Sequence, residues 1–151
     1  MMKAMITAMV ALAMLFGLPN ALLSQEPEPG FLALSGLDEM VDAVENGAEI
    51  VSVSYDVSAL YGPDQERVGF YTTDREEVQA LYAAITAIRL SRESKFHRTD
   101  WYPHIAFTLE DGRSYSVDFD YDHLRVPTDG YEIVPLENDK AFWDLVNALS
   151  N

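Results

Sequence analysis

Three histidines and a large excess of carboxylates are the side chains of this sequence that could carry acid–base chemistry. The 151 residues contain 25 Asp and Glu against 10 Lys and Arg, and the histidines are His97, His104 and His123. Their spacing is not that of metal ligands, but a histidine with a nearby aspartate, for instance at His104, could serve a small hydrolase as acid and base. The signatures of serine hydrolases, zinc proteases, P-loops and dinucleotide-binding folds do not occur in the sequence. We therefore predict no catalytic residue and no cofactor, and expect a protein that is not an enzyme.

A run of alternating aspartates is the nearest approach to a metal site. Asp118, Asp120 and Asp122 have the spacing of the first three acidic ligands of a calcium loop. The sixth and twelfth positions of that loop would be a histidine and an aspartate, where calcium loops use glycine and glutamate. On a strand, the three carboxylates would stand about 6.5–7 Å apart on one face, which suits hydration better than one shared ion. We interpret them as the solvated face of a strand and predict no metal site, with calcium binding as the alternative.

Basic residues are concentrated in one segment, 89–104, which we call the basic–aromatic window. It has a net charge of +2, whereas residues 25–88 and 105–151 have net charges of −11 and −7. Arginine and tryptophan dominate interface energies, and a guanidinium suits an anionic glycan or an acidic peptide. The window therefore predicts a partner-binding site made of Arg89, Arg92, Lys95, Arg98, Trp101 and Tyr102.

A purely structural interpretation of the same window is also open. Arg89 and Arg92 would end a central helix, where cations are stabilised by the macrodipole. Lys95 and Arg98 could pair with neighbouring acids, and the two aromatic residues could begin a strand and pack in the core.

The elements that position these residues follow from hydrophobic periodicity. Helices are predicted near 37–44, over about 74–90 and after Asn138, because apolar residues recur there at helical spacing. Alternating residues predict strands near 51–57, 68–72, 105–109, 115–121 and from 131, and Asp111-Gly112 predicts a hairpin turn. The order α-β-β-α-β-β-β-α predicts an α+β fold with a largely antiparallel sheet and helices packed on one face.

The first residues predict an export signal. Lys3 precedes an uncharged run from Ala4 to Leu18, which Pro19 and Asn20 break. We expect a signal peptide over 1–24, a linker over 25–34 and one domain over 35–151. An uncleaved anchor, the alternative, needs about 20 apolar residues and so would have to include the proline and the asparagine. The mature protein is therefore expected to be exported: secreted, periplasmic or on the cell surface.

Composition excludes several classes of function. The net charge of −15 disfavours nucleic acid as a partner, since a phosphate backbone attracts a basic surface. The absence of cysteine excludes disulfides, thiolate metal sites and lipid attachment through cysteine. A membrane contact is expected only through an uncleaved signal segment.

Four stretches resemble a group of small exported or lipid-anchored bacterial domains of unknown function: "FYTTDREEVQALYAAI", "IAFTLEDGRSYSVDF", "GYEI" and "AFWDLV". The resemblance extends from about Glu49 to Leu149, and its motifs are a helix cap, a turn and core aromatic residues. It implies export and an α+β fold, and it carries over no catalytic residue.

Together, these observations predict a non-catalytic binding or accessory module whose partner is an envelope protein or an anionic surface polymer. A protein inhibitor of an exported enzyme is a variant of this class. The alternative from another class is the small hydrolase that uses a carboxylate and a histidine.

Overall fold

The computed structural model describes residues 28–59, 69–93, 101–128 and 132–151. The helices are α1 (Phe31–Ser35), α2 (Asp38–Glu45), α3 (Arg75–Thr86) and α4 (Lys140–Leu149). The strands are β1 (Ile50–Ala59), β2 (Gly69–Thr72), β3 (Arg89–Leu90), β4 (Trp101–Leu109), β5 (Ser114–Asp120), β6 (His123–Val126) and β7 (Glu132–Glu137). The signal segment predicted over 1–24 lies outside the described residues.

The strands form one seven-stranded sheet in the order β2-β1-β4-β5-β6-β7-β3. Every pairing between described strands is antiparallel. The predicted α+β class with an antiparallel sheet is therefore confirmed. β4 and β5 form the expected hairpin, in which Gly112 has a φ of 88° and Asp111 Oδ1 accepts a hydrogen bond from the Arg113 backbone N–H at 3.0 Å.

All four helices pack against the same face of the sheet. Their buried residues include Phe31, Met40, Leu81 and Phe142, which join one apolar core with inward-facing strand residues. Because side chains alternate along a strand, each strand gives every second residue to this core and the others to the opposite face. The inward-facing core residues that are fully buried on β1, β4, β5 and β6 are Val53, Ile105, Phe107, Leu109, Phe119 and Leu124.

The folded part of the chain begins earlier than the sequence indicates. Residues 31–34, assigned to the linker, belong to α1, and Phe31 is 3% exposed within the core. The linker therefore ends before Phe31, because this aromatic side chain gains more from burial than from an extended, solvated backbone.

Two local predictions were wrong, and one strand was missed. α3 ends at Thr86 rather than near Leu90, and Arg89 and Leu90 form the edge strand β3. The capping-box spacing of Thr73 and Glu76 predicts Thr73 as the cap of α3. The cap is instead Asp74, whose Oδ1 accepts from the N–H groups of Glu76 and Glu77 at 3.0 and 3.1 Å. β6, which is too short to show alternation, was not predicted.

The C-terminal helix also begins one residue later than expected. Asp139, not Asn138, precedes its first turn, and Asn138 instead has a φ of 59° and donates its side-chain N–H to the Ala87 carbonyl. Among the described helices, none is long and apolar enough to cross a membrane.

Candidate functional site

The basic residues of the basic–aromatic window lie at or beyond one edge of the sheet. Arg89 is on the edge strand β3 and Arg92 follows it, and both are exposed. Neither lies in the last turn of α3, so the helix-macrodipole interpretation of these two residues is wrong. Lys95, Arg98 and His97 lie outside the described residues.

The two aromatic residues of the window are on a different strand and face opposite ways. Trp101 and Tyr102 begin β4, which is separated from β3 by three strands of the sheet. Trp101 points to the helix side and is 46% exposed, while Tyr102 points to the open side, where the Arg125 guanidinium lies 5.0 Å from its ring centroid. The structure therefore does not bring the described members of the window into one patch.

Trp101 belongs instead to a cleft at one end of the sheet, on its helix-covered side. The cleft has a volume of about 370 Å³, within the range of small-molecule sites. We call it the aromatic–acid cleft. It is lined by Tyr55, Val57, Trp101, Pro103, Tyr121, Asp122, Asp139, Trp143, Asn147 and Ser150.

One wall of the cleft comes from the turn between β5 and β6. Tyr121 has a φ of 54°, which is uncommon for a bulky side chain, and its N–H donates to the Trp101 carbonyl at 3.0 Å. This left-handed conformation ends the strand alternation, so Asp122 lines the cleft on the helix side. The expectation that Asp118, Asp120 and Asp122 share one face is therefore wrong for Asp122.

The opposite wall is one side of α4. Its Asp139, Trp143, Asn147 and Ser150 follow one another at intervals of four, four and three residues, which places them along one stripe of a helix. The Trp143 ring contacts Phe119 edge-on, with centroids 5.0 Å apart, and its indole N–H donates to Asp139 Oδ2 at 2.8 Å. The ring and the carboxylate are therefore held in fixed positions.

The described lining of the cleft contains two carboxylates and no basic side chain. Asp122 Oδ1 lies 2.8 Å from Nδ1 of His123, whose side chain is nearly buried, while the Asp122 side chain is 44% exposed. Burial first, and the Asp56 carboxylate second, raise the pKa of Tyr55 to about 12. The Tyr55 hydroxyl is therefore protonated near neutral pH, and the ionised groups of the described lining are acidic.

A second group of charged side chains crosses the open face of the sheet. Asp56, His104, Asp118 and Arg125 are neighbours on β1, β4, β5 and β6 in the strand register. We call them the charged row. His104 Nδ1 lies 2.7 Å from Asp118 Oδ1, and the two side chains are 39% and 56% exposed. Neither the aromatic–acid cleft nor a smaller cavity of about 300 Å³ between β1 and α3 is lined by His104.

The charged row and the nearby aspartates do not form a metal centre. Among the described residues, no three His, Asp or Glu side chains are placed to hold one ion. Asp118 faces the open side, as expected for a strand residue, and Asp122 is in the turn, so the calcium spacing seen in the sequence is not kept in three dimensions.

Sequence patterns missed most of the cleft. Trp101 is the one cleft residue among the predicted site residues, and the sequence predicts a solvated strand face for Asp122. The helical spacing of Asp139, Trp143 and Asn147 was the available signal, but that stripe lies beside the apolar one and resembles an ordinary helix surface.

Comparisons with known proteins give this chain no relative. No family model, no curated protein and no solved structure matches it.

Proposed function

We propose that this chain is an exported, non-catalytic binding or accessory module that recognises an envelope protein or a cell-surface polymer through the aromatic–acid cleft. The observation that carries the proposal is the cleft itself, in which Trp101 and Tyr121 remain about half exposed beside ordered carboxylates. Exposed aromatic side chains in a concave, partly apolar site are the usual anchors of recognition.

Export supports the same function. The sequence predicts a signal peptide over 1–24, and an acidic, cysteine-free domain of this size can fold on its apolar core alone. A module outside the cytoplasm has envelope proteins and surface polymers as its neighbours.

Partner capture by the purified, immobilised protein tests the role of the cleft. We expect Trp101→Ala to reduce capture of an envelope partner or polymer about tenfold or more, since a central aromatic anchor contributes about 2 kcal/mol or more and each 1.4 kcal/mol is about tenfold. Tyr71→Ala is the matched control, because Tyr71 is 70% exposed on β2 and does not line the cleft. Equal capture by the two variants and the wild type would contradict the proposal.

The basic–aromatic window gives the same experiment a second arm. Reversing the charge of Arg92 and Arg98 should weaken capture if an anionic surface polymer is the partner. An unchanged result would restrict recognition to the cleft. The inhibitor variant of this function predicts that the captured protein is an enzyme whose activity falls on binding.

A small hydrolase is the second candidate function, and the His104–Asp118 contact at 2.7 Å is the observation that favours it. The pair has the geometry of an oriented histidine base. The pair lies on the open face and lines neither the aromatic–acid cleft nor the cavity between β1 and α3, so neither of these two cavities would serve as its substrate site. Turnover of model esters or glycosides that is lost in His104→Ala would support this function over the first.

A further inference from the structure

The aromatic–acid cleft combines two features that favour the same kind of ligand. Four aromatic residues line the one cavity: Tyr55, Trp101, Tyr121 and Trp143. The faces of aromatic rings attract cations within about 6 Å. Asp122 and Asp139 add two carboxylates to the same lining. We propose that the cleft binds an alkylammonium group, such as a quaternary ammonium or a lysine side chain; this inference rests on the proposed binding function of the cleft.

The charges of the lining disfavour an anionic ligand. Among the described residues that line the cleft, none is Lys, Arg or His. The indole N–H of Trp143 orients the Asp139 carboxylate without removing its charge. An anion would therefore meet two carboxylates, Asp139 and Asp122, of which Asp122 also contacts the His123 ring at 2.8 Å. A cation gains from both carboxylates.

The shape of the cleft also favours an alkylated cation over a bare ion. The aromatic rings and the side chains of Val57 and Pro103 supply apolar surface that methyl or methylene groups can cover. No three carboxylate or imidazole groups of the described chain converge in the way that a metal ion requires. A ligand with a charged centre and an apolar shell satisfies both parts of the lining.

The backbone around the cleft is held in an unusual conformation. Tyr121 and Asn138 are the two non-glycine residues with positive φ among the described residues, and one lines the cleft while the other directly precedes Asp139. Conformations of this kind persist where the surrounding structure fixes them, and they cluster at ligand sites. They place an aromatic ring on one side and a carboxylate on the other before any ligand arrives.

The overall charge of the protein acts in the same direction. The net charge of −15 creates a negative field that raises the local concentration of cations around the protein. Added salt should weaken ammonium binding, because it screens both this field and the partly exposed Asp122.

Intrinsic fluorescence can report on the cleft alone, because both tryptophans of the sequence line it. The titration compares choline with 3,3-dimethyl-1-butanol, which has the same shape without the charge. We expect saturable fluorescence changes with choline and at least about tenfold weaker binding of the uncharged compound. A second arm compares a short lysine peptide with the same peptide acetylated on lysine, which distinguishes a small free cation from a side chain on a partner.

Charge-neutral variants complete the test. Asp122→Asn and Asp139→Asn should each weaken binding about threefold to tenfold, since an Asn at 139 still accepts the indole hydrogen bond but lacks the charge. Asp144→Asn is the matched control on the same helix: it removes one charge from an exposed residue that pairs with Lys140 outside the cleft lining, and affinity should not change.

Two results would overturn the inference. Equal binding of choline and its uncharged analogue would make the cleft a neutral apolar site and leave its binding function intact. The absence of any fluorescence change with all ammonium probes would remove the ligand class, while partner capture that depends on Trp101 would still stand. The proposed binding function fails separately, if Trp101→Ala captures partners as well as the wild type does.

Discussion

The aromatic–acid cleft and the charged row lie on opposite faces of the same sheet and use their charges differently. In the charged row, acidic and basic residues alternate across neighbouring strands, so that His104 pairs with Asp118 and Arg125 lies opposite Asp118. In the cleft, Asp122 and Asp139 line a cavity whose other described walls are aromatic or neutral. The charged row combines residues of both charge types, whereas the charged residues of the described cleft lining are aspartates alone.

This difference affects how much each surface, the charged row or the cleft, can gain from binding a ligand. Exposed ion pairs contribute little to stability and gain little from a further partner, because water already solvates them. The cleft is concave and its aromatic residues add apolar surface to the two carboxylates, so a ligand of matching charge gains apolar contacts there as well as charge pairing. For this reason the cleft, rather than the charged row, is the recognition site that we propose.

Truncating Trp143 should cause the largest loss of stability among these predictions, because Trp143 belongs both to the cleft wall and to the core. The ring packs edge-on against both Phe119 and Phe142 and donates a hydrogen bond to Asp139, so Trp143→Ala removes a wall of the cleft together with part of the core. We expect a loss of about 2–4 kcal/mol in the free energy of unfolding, measured by urea denaturation.

The matched control for this change is Tyr71→Ala, which removes an aromatic side chain that is 70% exposed. It should change stability by no more than about 0.5 kcal/mol. Equal losses in the two variants would mean that the Trp143 wall is not integrated with the core as the ring geometry indicates.

The fold could be predicted from the sequence because its signals are local and repeated. Apolar residues occupy every second position on β1, at Val53, Tyr55 and Val57, and they recur at helical spacing on α3. In both elements this periodicity identifies the buried face. β6 and β3 could not be predicted, because strands of four and two residues are too short to show a period.

The cleft could not be predicted because it depends on two departures from periodicity. Asp122 reaches the helix side only because Tyr121 adopts a φ of 54°, and no pattern of residue types specifies that conformation for a tyrosine. Trp143 is both a core residue and a cleft residue, since one part of its ring packs on Phe119 while its lining surface is partly exposed. Sequence patterns assign such a residue to one role.

Tyr55 lies between the cleft and the charged row, and its titration should change stability by an intermediate amount. Its ring lies on the cleft side, and the next residue, Asp56, begins the charged row on the other face. The pKa of Tyr55 is about 12 in the folded protein, above its ordinary value of 10, so the folded state binds this proton more tightly than the unfolded chain does. The resulting stabilisation is complete below pH 10 and is lost as the pH rises towards 12. We expect the wild type to lose roughly 1–2 kcal/mol more than Tyr55→Phe over that range, allowing for partial solvation.

Urea unfolding at several alkaline pH values measures this difference, and absorbance of tyrosinate at 295 nm follows the titration directly. Asp56→Asn should move the late-titrating tyrosine slightly towards its ordinary pKa, since burial is the larger cause and the carboxylate the smaller. If Asp56→Asn lowered the pKa of Tyr55 more than substitutions of the cleft residues around its ring did, the Asp56 carboxylate, rather than burial, would be the main cause of the raised pKa.

The smallest effect on stability is expected in the charged row, and its size tests whether the His104–Asp118 pair is shielded from water. A double-mutant cycle with His104→Ala and Asp118→Ala should give a coupling energy below about 1 kcal/mol that declines with added salt, because both side chains are substantially exposed. A coupling above about 2 kcal/mol that resists salt would mean that the pair is shielded from water. In that case the open face would be covered in the folded protein, and the His104–Asp118 pair would have the desolvated setting that a catalytic base needs.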